Sequence, residues 1–405
     1  MSKPSTPHQI PVVVLTGFLG SGKTTLLNHL LHRSGGSRIG AVVNDFGAVE
    51  IDAMAVAGAL GDSTVSLGNG CLCCAVDASE LDSYLGRLAD PALGIDVIVI
   101  EASGLAEPQE LVRMVLAGED RRVVYGGLVE VVDAVEFDAT RARHPEIDRH
   151  LALADLVVVN KTDRAPDGER VLGLVRSLVD GAAVVPASYG RVDPELLFDC
   201  RPARERVGQL TFDDLHDHGE GELHAHAGHL HAAYDSLSHV TGVPLDPRRL
   251  MEFLDARPDG LYRIKGYVDF GAHDPVNRYA VHAVGRFLRF YPEPWGAGEE
   301  RLTQLVLIGS GIDGSALGAR LASCEQGVGR DTNGRDARRP DEHGMWGVLR
   351  YVQEPDDAGA DAGAPGEIPD EPDPSLDPEP SLDPDPDPDQ SPDPDAEAFP
   401  RPPSR

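Results

Sequence analysis

The chain has 405 residues, 41% of them apolar, which is enough to form the cores of two or three domains. No apolar run reaches the ~20 residues that a membrane-spanning helix needs, and no signal peptide precedes the first apolar run. Five cysteines, an odd number, argue against a disulfide framework, so we expect a soluble cytoplasmic protein.

The net charge of −31 is concentrated towards the C-terminus. Residues 353–405 contain 17 acidic residues and two arginines and therefore carry −15 of that charge. This Pro/Asp-rich segment offers little that a core could bury, which predicts a disordered tail. It is interpreted either as a solubilising extension or as an arm that docks a partner or buffers metal ions. An acidic chain without a basic run argues against direct nucleic-acid binding.

After a flexible N-terminus (residues 1–9), a β-branched run at residues 10–16 leads into a glycine-rich loop, Gly17-Phe-Leu-Gly-Ser-Gly-Lys-Thr-Thr25, and then into a helical segment. This matches G-x-x-x-x-G-K-[ST] in the strand–loop–helix context that a phosphate-binding loop requires. The backbone N–H groups and the helix N-terminus attract phosphate, Lys23 reaches the terminal phosphates, and Thr24 can ligate Mg²⁺. The predicted phosphate site comprises Gly17, Gly20, Ser21, Gly22, Lys23, Thr24 and Thr25.

Further apolar runs alternate with helical stretches along the first half of the chain, at residues 39–43, 96–100, 127–132 and 156–159. This alternation predicts an α/β fold over residues 10–212, a P-loop NTPase-type parallel sheet with helices on both faces. In such sheets, ligand-binding residues lie at the C-terminal ends of the strands.

Two strand ends carry polar residues of this kind. Glu101-Ala-Ser-Gly104 provides a carboxylate to help hold Mg²⁺ or its water and a glycine whose N–H can sense a γ-phosphate. Asn160-Lys-Thr-Asp163 provides an aspartate that can accept two hydrogen bonds from guanine, while Asn160 and Lys161 brace the loop and cover the base; leaving such an acceptor unpaired costs about 1–3 kcal/mol. These residues predict a GTPase, with residues 186–189 as a further base-contacting loop.

Three of the five cysteines occur in Asn69-Gly-Cys-Leu-Cys-Cys74, between the P-loop helix and the strand that ends at Glu101. Thiolates are soft ligands that suit Zn²⁺ or Cu(I), so Cys71, Cys73 and Cys74 are candidate zinc ligands. A fourth ligand would come from water, a carboxylate, a histidine or another protein. The alternatives are buried structural thiols and a redox sensor.

Residues 213–232 are rich in glycine and histidine and are interpreted as a linker. Six of the fifteen histidines fall here, and they are either solvated or auxiliary metal ligands that pass a metal ion to the cysteines: His216, His218, His224, His226, His229 and His231. Residues 233–352 are predicted to form a smaller α+β domain. Its strands are expected at residues 262–270, 279–284, 287–291 and 304–308, its helices from Asp246 and over 315–322, and a final strand within 345–352.

The motifs GFLGSGKTT, NDFG (residues 44–47), GCLCC, Glu101–Pro108 and NKTD, in this order, resemble those of the CobW family of P-loop GTPases. Residues 262–267 and 305–311 resemble the C-terminal domain of that family. The resemblance implies a GTP-hydrolysing metallochaperone that binds zinc, or cobalt, at the C-x-C-C motif and delivers it to a client metalloprotein. By position, Lys23 and Glu101 are the implied catalytic residues, and Asp52, close to the NDFG segment, is expected on the Mg²⁺ side.

One departure from the family pattern concerns the segment Val43-Asn-Asp-Phe-Gly-Ala48, which lacks two outer glutamates that some relatives have. A metal site built on those glutamates is therefore not expected, whereas one built on the thiolates is. The alternative function is a zinc-responsive regulatory GTPase that binds a large assembly such as the ribosome.

Overall fold

A six-stranded parallel sheet forms the first half of the computed structural model, which describes residues 9–34, 36–43, 78–104, 106–199, 234–326 and 343–352. The strand order is β2-β3-β1-β4-β5-β6. The strands are β1 (Ile10–Thr16), β2 (Ile39–Val43), β3 (Val97–Glu101), β4 (Val123–Asp133), β5 (Leu156–Asn160) and β6 (Ala183–Pro186).

Helices cover both faces of this sheet. Consecutive residues of β1 enter different cores, because strand side chains alternate between the two faces: Val13 and Leu15 join one cluster, and Val12 and Val14 join another. The helices are α1 (Lys23–His32), α2 (Ala78–Leu88), α3 (Pro108–Ala117), α4 (Phe137–Arg143), α5 (Ile147–Leu153), α6 (Gly168–Leu178) and α7 (Pro194–Leu197), with a 3₁₀ turn at Pro91–Leu93. The predicted α/β fold is confirmed.

An antiparallel five-stranded sheet of order β10-β9-β8-β11-β7 forms the second half, and helices cover one of its faces through a separate apolar cluster. The predicted α+β architecture is confirmed. The strands are β7 (Asp235–Thr241), β8 (Leu261–Val268), β9 (Asn277–Val284), β10 (Phe287–Pro294) and β11 (Thr303–Gly309), and the helices are α8 (Pro247–Asp255), α9 (Gly314–Ala322) and α10 (Trp346–Leu349).

The strand predicted within residues 345–352 is wrong. The segment forms the short helix α10, and Val352 alone makes an isolated bridge, to Phe290. Met345 and Val348 are buried, whereas Trp346 is 62% exposed, so the buried residues recur at a spacing of three rather than two.

The two sheets belong to one unit of the chain, Met1–Pro355, and meet at the start of β4. This strand begins at Val123 rather than at the predicted Gly127, and its register with β1 shifts beside Gly126. Gly127 has φ +112°, and a Cβ there would lie 2.8 Å from the hydroxyl oxygen of Tyr262. The glycine pair therefore admits this tyrosine of β8, whose hydroxyl donates to the carbonyl of Gly126 (3.3 Å).

A partly buried aspartate strengthens the same junction. Asp155, just before β5, accepts hydrogen bonds from the hydroxyl of Tyr125 (2.5 Å) and from the amide of Leu128 (2.9 Å). Burial raises the pKa of Asp155, and the two hydrogen bonds oppose this effect. Across the junction, Nε2 of His282 lies 2.9 Å from the carbonyl oxygen of Tyr125. Within the described ranges, no helix is both long and apolar enough to span a bilayer.

Candidate nucleotide-binding site

The loop between β1 and α1 is shaped by glycines that lie close to neighbouring strands. Gly17 has φ +140°, and a Cβ there would lie 2.3 Å from the carbonyl oxygen of Val131. Gly22 has φ +104°, and a Cβ there would lie 2.3 Å from Nδ2 of Asn160. Both positions require glycine. The loop therefore lies directly on the C-terminal ends of β4 and β5.

Lys23, the first residue of α1, extends back under this loop. It is 7% exposed, and its Nζ donates to the carbonyl oxygens of Gly17 (2.8 Å) and Phe18 (3.3 Å). The first turn of α1 contains no acidic residue. The positive end of the helix and the ammonium group thus act on the same space, which favours an anion.

The end of β3 supplies a carboxylate to the same helix. Glu101 is buried, and its Oε1 accepts a hydrogen bond from Oγ1 of Thr24 (2.7 Å). Hydroxyl and carboxylate oxygens are the donors that Mg²⁺ prefers, so this pair fits a magnesium ion. After β3, Gly104 approaches the loop so closely that a Cβ would lie 2.7 Å from the amide nitrogen of Leu19.

The end of β5 is fastened to the loop through Asn160. Its Nδ2 donates to the carbonyl of Ser21 (3.0 Å), and its Oδ1 accepts from the amide of Gly190 (2.9 Å). Lys161 adopts φ +62°; its Nζ donates to the carbonyl of Gly20 (2.6 Å) and pairs with Asp133 (2.6 Å). The Asn160 side chain thus links the loop after β5 to the P-loop and to the loop after β6. Lys161 adds a second contact to the P-loop.

Asp163 is exposed next to these contacts, and its neighbour Thr162 is hydrogen-bonded to the loop after β6. The hydroxyl of Thr162 donates to the carbonyl of Ala187 (2.9 Å). Tyr189 adopts φ +55° and is 65% exposed. The structure thus brings the predicted P-loop residues Gly17–Thr25, together with Glu101, Gly104 and Asn160–Asp163, to one edge of the sheet.

Two acidic residues of β4 belong to this edge and were missed by the sequence interpretation. Asp133 ends β4 as Glu101 ends β3, so the strand-end rule could have found it. Glu130 is fully buried, and its Oε2 accepts a hydrogen bond from Oγ1 of Thr16 (2.5 Å). Burial raises the pKa of Glu130 to about 7, against the opposing effects of Thr16 and Lys23. The sequence signal for Glu130 is that it is an acidic residue within the otherwise apolar run Leu128–Val132.

An aromatic contact on the outer side of the loop was also missed. The ring centroid of Phe18 lies 4.9 Å from that of His144 and 6.2 Å from that of His150. His150 is buried, and its Nε2 lies 3.7 Å from Oε2 of Glu107, just before α3. Phe18 also lines a cavity of about 320 Å³ together with Phe137, Arg143 and Lys161.

The predicted zinc ligands, the auxiliary histidines and the Mg²⁺-side Asp52 lie outside the described residues. This applies to Cys71, Cys73 and Cys74, to Asp52, to the NDFG segment and to the six linker histidines. In the part of the chain that the structure describes, no group of three or more His, Cys, Asp or Glu side chains could hold a metal ion. Cys324 is buried, and burial raises the pKa of its thiol to about 11, as expected for an unreactive core thiol.

Comparison with known proteins gives two family matches. Residues 11–186 match the nucleotide-binding domain described as CobW/HypB/UreG, and residues 234–325 match the cobalamin synthesis protein cobW C-terminal domain. These matches confirm the resemblance that the motifs indicate.

Among curated proteins, the chain is 32% identical over 356 residues to the zinc chaperone CobW of a Sinorhizobium species, covering 78% of this chain and 97% of that protein. It is 33% identical over 357 residues to the zinc chaperone CobW of Pseudomonas aeruginosa, covering 78% and 92%. Among solved structures, the Zn(II)-bound YjiA GTPase of Escherichia coli is 23% identical, with 78% of this chain and 99% of that chain covered and a TM-score of 0.38. The chain therefore belongs to the CobW/HypB/UreG family of P-loop proteins and carries the CobW C-terminal domain.

Proposed function

We propose that the chain is a GTP-hydrolysing metallochaperone that binds zinc at its C-x-C-C motif and delivers it to a client apoprotein under nucleotide control. The observation that carries the nucleotide half is the joining of two strand ends to the P-loop: β3 through Glu101 and Thr24, and β5 through Asn160–Ser21 and Lys161–Gly20. The names of the relatives, zinc chaperones from two bacteria, support the zinc half.

The phosphates would bind where Lys23 now satisfies its ammonium group with backbone carbonyls. Exchanging the carbonyls of Gly17 and Phe18 for phosphate oxygens keeps the ammonium group hydrogen-bonded while it gains charge complementarity. Thr24 and Glu101 would hold Mg²⁺, which when bound supplies charge neutralisation on the phosphates. Catalysis by this chain's own groups is then mainly positioning by the loop amides and Lys23, with Asp52 proposed on the magnesium side.

Guanine would be selected by Asp163. Its carboxylate is exposed at the edge where Asn160 and Lys161 fix the backbone, so it can accept hydrogen bonds from the base N1–H and 2-amino groups. Adenine offers no such pair of donors. The aliphatic part of Lys161 would cover one face of the base.

Nucleotide state would reach the zinc ligands through the segments that flank the P-loop. The loop after β3 already touches the P-loop, since no space for a Cβ separates Gly104 from Leu19. We propose that GTP orders the segment around residues 44–52 and with it the loop of Cys71, Cys73 and Cys74, and that hydrolysis relaxes both and releases the zinc cargo.

The test is to replace Cys71, Cys73 and Cys74 by alanine and to measure zinc and GTP affinity. The variant should lose tight zinc binding while GTP still binds. A matched control replaces the two remaining cysteines, Cys200 and Cys324, and should keep both affinities. A triple variant that holds zinc as tightly as the wild type would overturn the proposal.

Transfer is tested separately, with zinc-loaded protein, candidate apo-clients, and GTP, GDP or a non-hydrolysable analogue. Zinc release should depend on which nucleotide is present. Equal zinc affinity and equal zinc release rate with all three nucleotides would exclude the metallochaperone function and leave only GTP hydrolysis. Zinc-dependent capture of a large assembly, without transfer, would favour the regulatory alternative.

A further inference from the structure

Glu130 is a buried carboxyl group at the base of the P-loop. In the register of β4 with β1, it lies opposite Thr16, the residue that immediately precedes Gly17. The side chain of Glu130 is 0% exposed, and Thr16 donates to its Oε2 at 2.5 Å. Its other oxygen, Oε1, is buried and has no hydrogen-bond partner among the residues that the structure describes. An acidic side chain is thus held inside the protein with half of its hydrogen-bonding capacity unused.

Glu130 is separate from the magnesium-side carboxylate. Glu101 lies opposite Leu15 in the register of β3 with β1, whereas Glu130 lies opposite Thr16 in the register of β4 with β1. Adjacent residues of a strand point to opposite faces, so the two carboxyl groups approach the loop from opposite faces of the sheet. Glu101 accepts from Thr24, and Glu130 accepts from Thr16.

Lys23 is the one charged side chain, within the described ranges, that acts electrostatically on Glu130. The helices that pack against β4 on this face, α3 and α5, carry other ionisable groups, which are paired or exposed. Glu107 accepts from Arg149 and lies beside His150, and the remaining ones are Glu110 with Arg113 and Asp148 with Arg141. The charge that compensates Glu130 is therefore the one that would bind a nucleotide's phosphates.

We infer that Glu130 is a positioning residue whose protonation is coupled to nucleotide binding, so that the site takes up one proton together with the phosphates. The inference rests on the proposed nucleotide site. Phosphates at Lys23 bring negative charge to the cation that, among the described residues, stabilises the buried carboxylate, which then accepts a proton from solvent. Oε1 is available for that proton, and if the proton is on Oε2 the Thr16 hydroxyl can turn to the carbonyl of Val129, 3.4 Å away.

The sign of the effect follows from linkage. Burial already raises the pKa of Glu130 to about 7 in the nucleotide-free chain, and bound phosphate raises it further. Proton uptake on binding therefore begins as the pH rises through about 7. In that range, nucleotide affinity falls by up to about tenfold per pH unit, the limit for one linked proton.

The experiment is calorimetric titration of the full chain with Mg·GDP and with a non-hydrolysable GTP analogue, between about pH 6 and pH 8.5, in pairs of buffers with different ionisation enthalpies. The wild type should take up a proton above pH 7 and lose affinity there. Glu130→Gln, which keeps the shape and mimics the protonated form, should lose this extra proton uptake. It should also bind at high pH about as tightly as the wild type binds at low pH.

Two further variants make the result unambiguous. Glu130→Met removes the carboxyl group without a polar replacement and should behave like Glu130→Gln. Glu119→Gln, on the surface, should keep the wild-type pH dependence. Titration of the nucleotide's own phosphates is common to all four proteins and cancels in the comparison.

Equal proton uptake and equal pH dependence in the wild type and both Glu130 variants would overturn the inference while leaving nucleotide binding intact. If neither Glu130 variant folds, the wild type decides: no net proton uptake above pH 7 overturns it as well. Absence of guanine-nucleotide binding by the wild type at every pH would instead overturn the proposed function.

Discussion

Oγ1 of Thr24 donates a hydrogen bond to Oε1 of Glu101 across 2.7 Å, although 77 positions separate the two residues in the chain. The contact joins the first turn of α1 to the end of β3. It holds side by side two oxygen-bearing side chains of the kind that a hard cation prefers.

Replacement of Glu101 by glutamine should raise the Mg²⁺ concentration needed for half-maximal GTP hydrolysis by about 10- to 100-fold, because an amide cannot offer the charge that orients the metal's ligands. The measurement is GTPase rate against Mg²⁺ concentration. Glu110→Gln, an exposed acid of α3, is the matched control and should leave the curve unchanged. A wild-type curve for Glu101→Gln would remove this residue from the magnesium side.

Asp163→Asn should lower GTP affinity by about 10- to 150-fold, which corresponds to the ~1.5–3 kcal/mol of a hydrogen bond to a charged group. The same variant should gain affinity for xanthosine triphosphate, whose 2-oxo group accepts where guanine donates. Competition binding with both nucleotides measures the change. The control is Asp167→Asn, an exposed aspartate four residues later, and preference for ATP in the wild type would contradict the assignment.

Gly104→Ala should slow GTP hydrolysis on the order of 10²-fold, because the added Cβ would lie 2.7 Å from the amide nitrogen of Leu19 and displace the loop from the P-loop. GDP affinity should change little, since we propose that the displaced loop lies on the γ-phosphate side. Single-turnover hydrolysis and GDP titration separate the two effects. Gly173→Ala provides the control, because nothing lies within 4 Å of a Cβ at that position in α6.

Glu130→Gln should increase the free energy of unfolding at about pH 8. The folded-state pKa of Glu130, about 7, is above the ordinary value of 4.5, so the folded state loses stability as the pH rises from 4.5 through 7. The rise of the pKa from 4.5 to about 7 corresponds to a loss of about 3 kcal/mol in the free energy of unfolding. Glutamine does not ionise and therefore avoids this loss. Denaturant unfolding should show this difference at pH 8 and almost none near pH 4; a difference independent of pH would contradict it.

Tyr262→Ala should destabilise the chain by about 3–5 kcal/mol, because a fully buried aromatic ring would leave a cavity between the two sheets. Tyr262→Phe keeps the ring and loses only the hydrogen bond to the carbonyl of Gly126, so its cost should be about 1 kcal/mol. Equilibrium unfolding measures both. Equal costs would mean that the hydroxyl, not the packing, holds the junction.

Local signals in the sequence were sufficient for the parallel sheet and for the P-loop. The β-branched runs and the glycine spacing act over a few residues, and the structure has β2 at the predicted residues 39–43 and β5 from the predicted Leu156. The strand β7 (Asp235–Thr241) was not predicted, because most of its side chains are polar. This edge strand is held by backbone pairing to β11, and its residues lie largely at the surface, so no apolar alternation marks it.

The partners of the site residues could not be predicted in the same way. Asp133 and Lys161 are 28 positions apart, and Glu130 and Thr16 are 114 apart, so each pair is set by the order of strands in the sheet. Sequence spacing identifies the loops that carry such residues. The side chain that each will meet depends on which strands become neighbours.

β4 extends over 11 residues, about 36 Å at the usual rise, and contacts both the second sheet and the candidate nucleotide site. Its first residues hold the ring of Tyr262, and its last ones support Thr16 and Lys161. One continuous backbone therefore connects a contact of the second sheet with contacts of the phosphate site. The Gly126–Gly127 pair interrupts the regular pairing of this strand with β1 between those two regions.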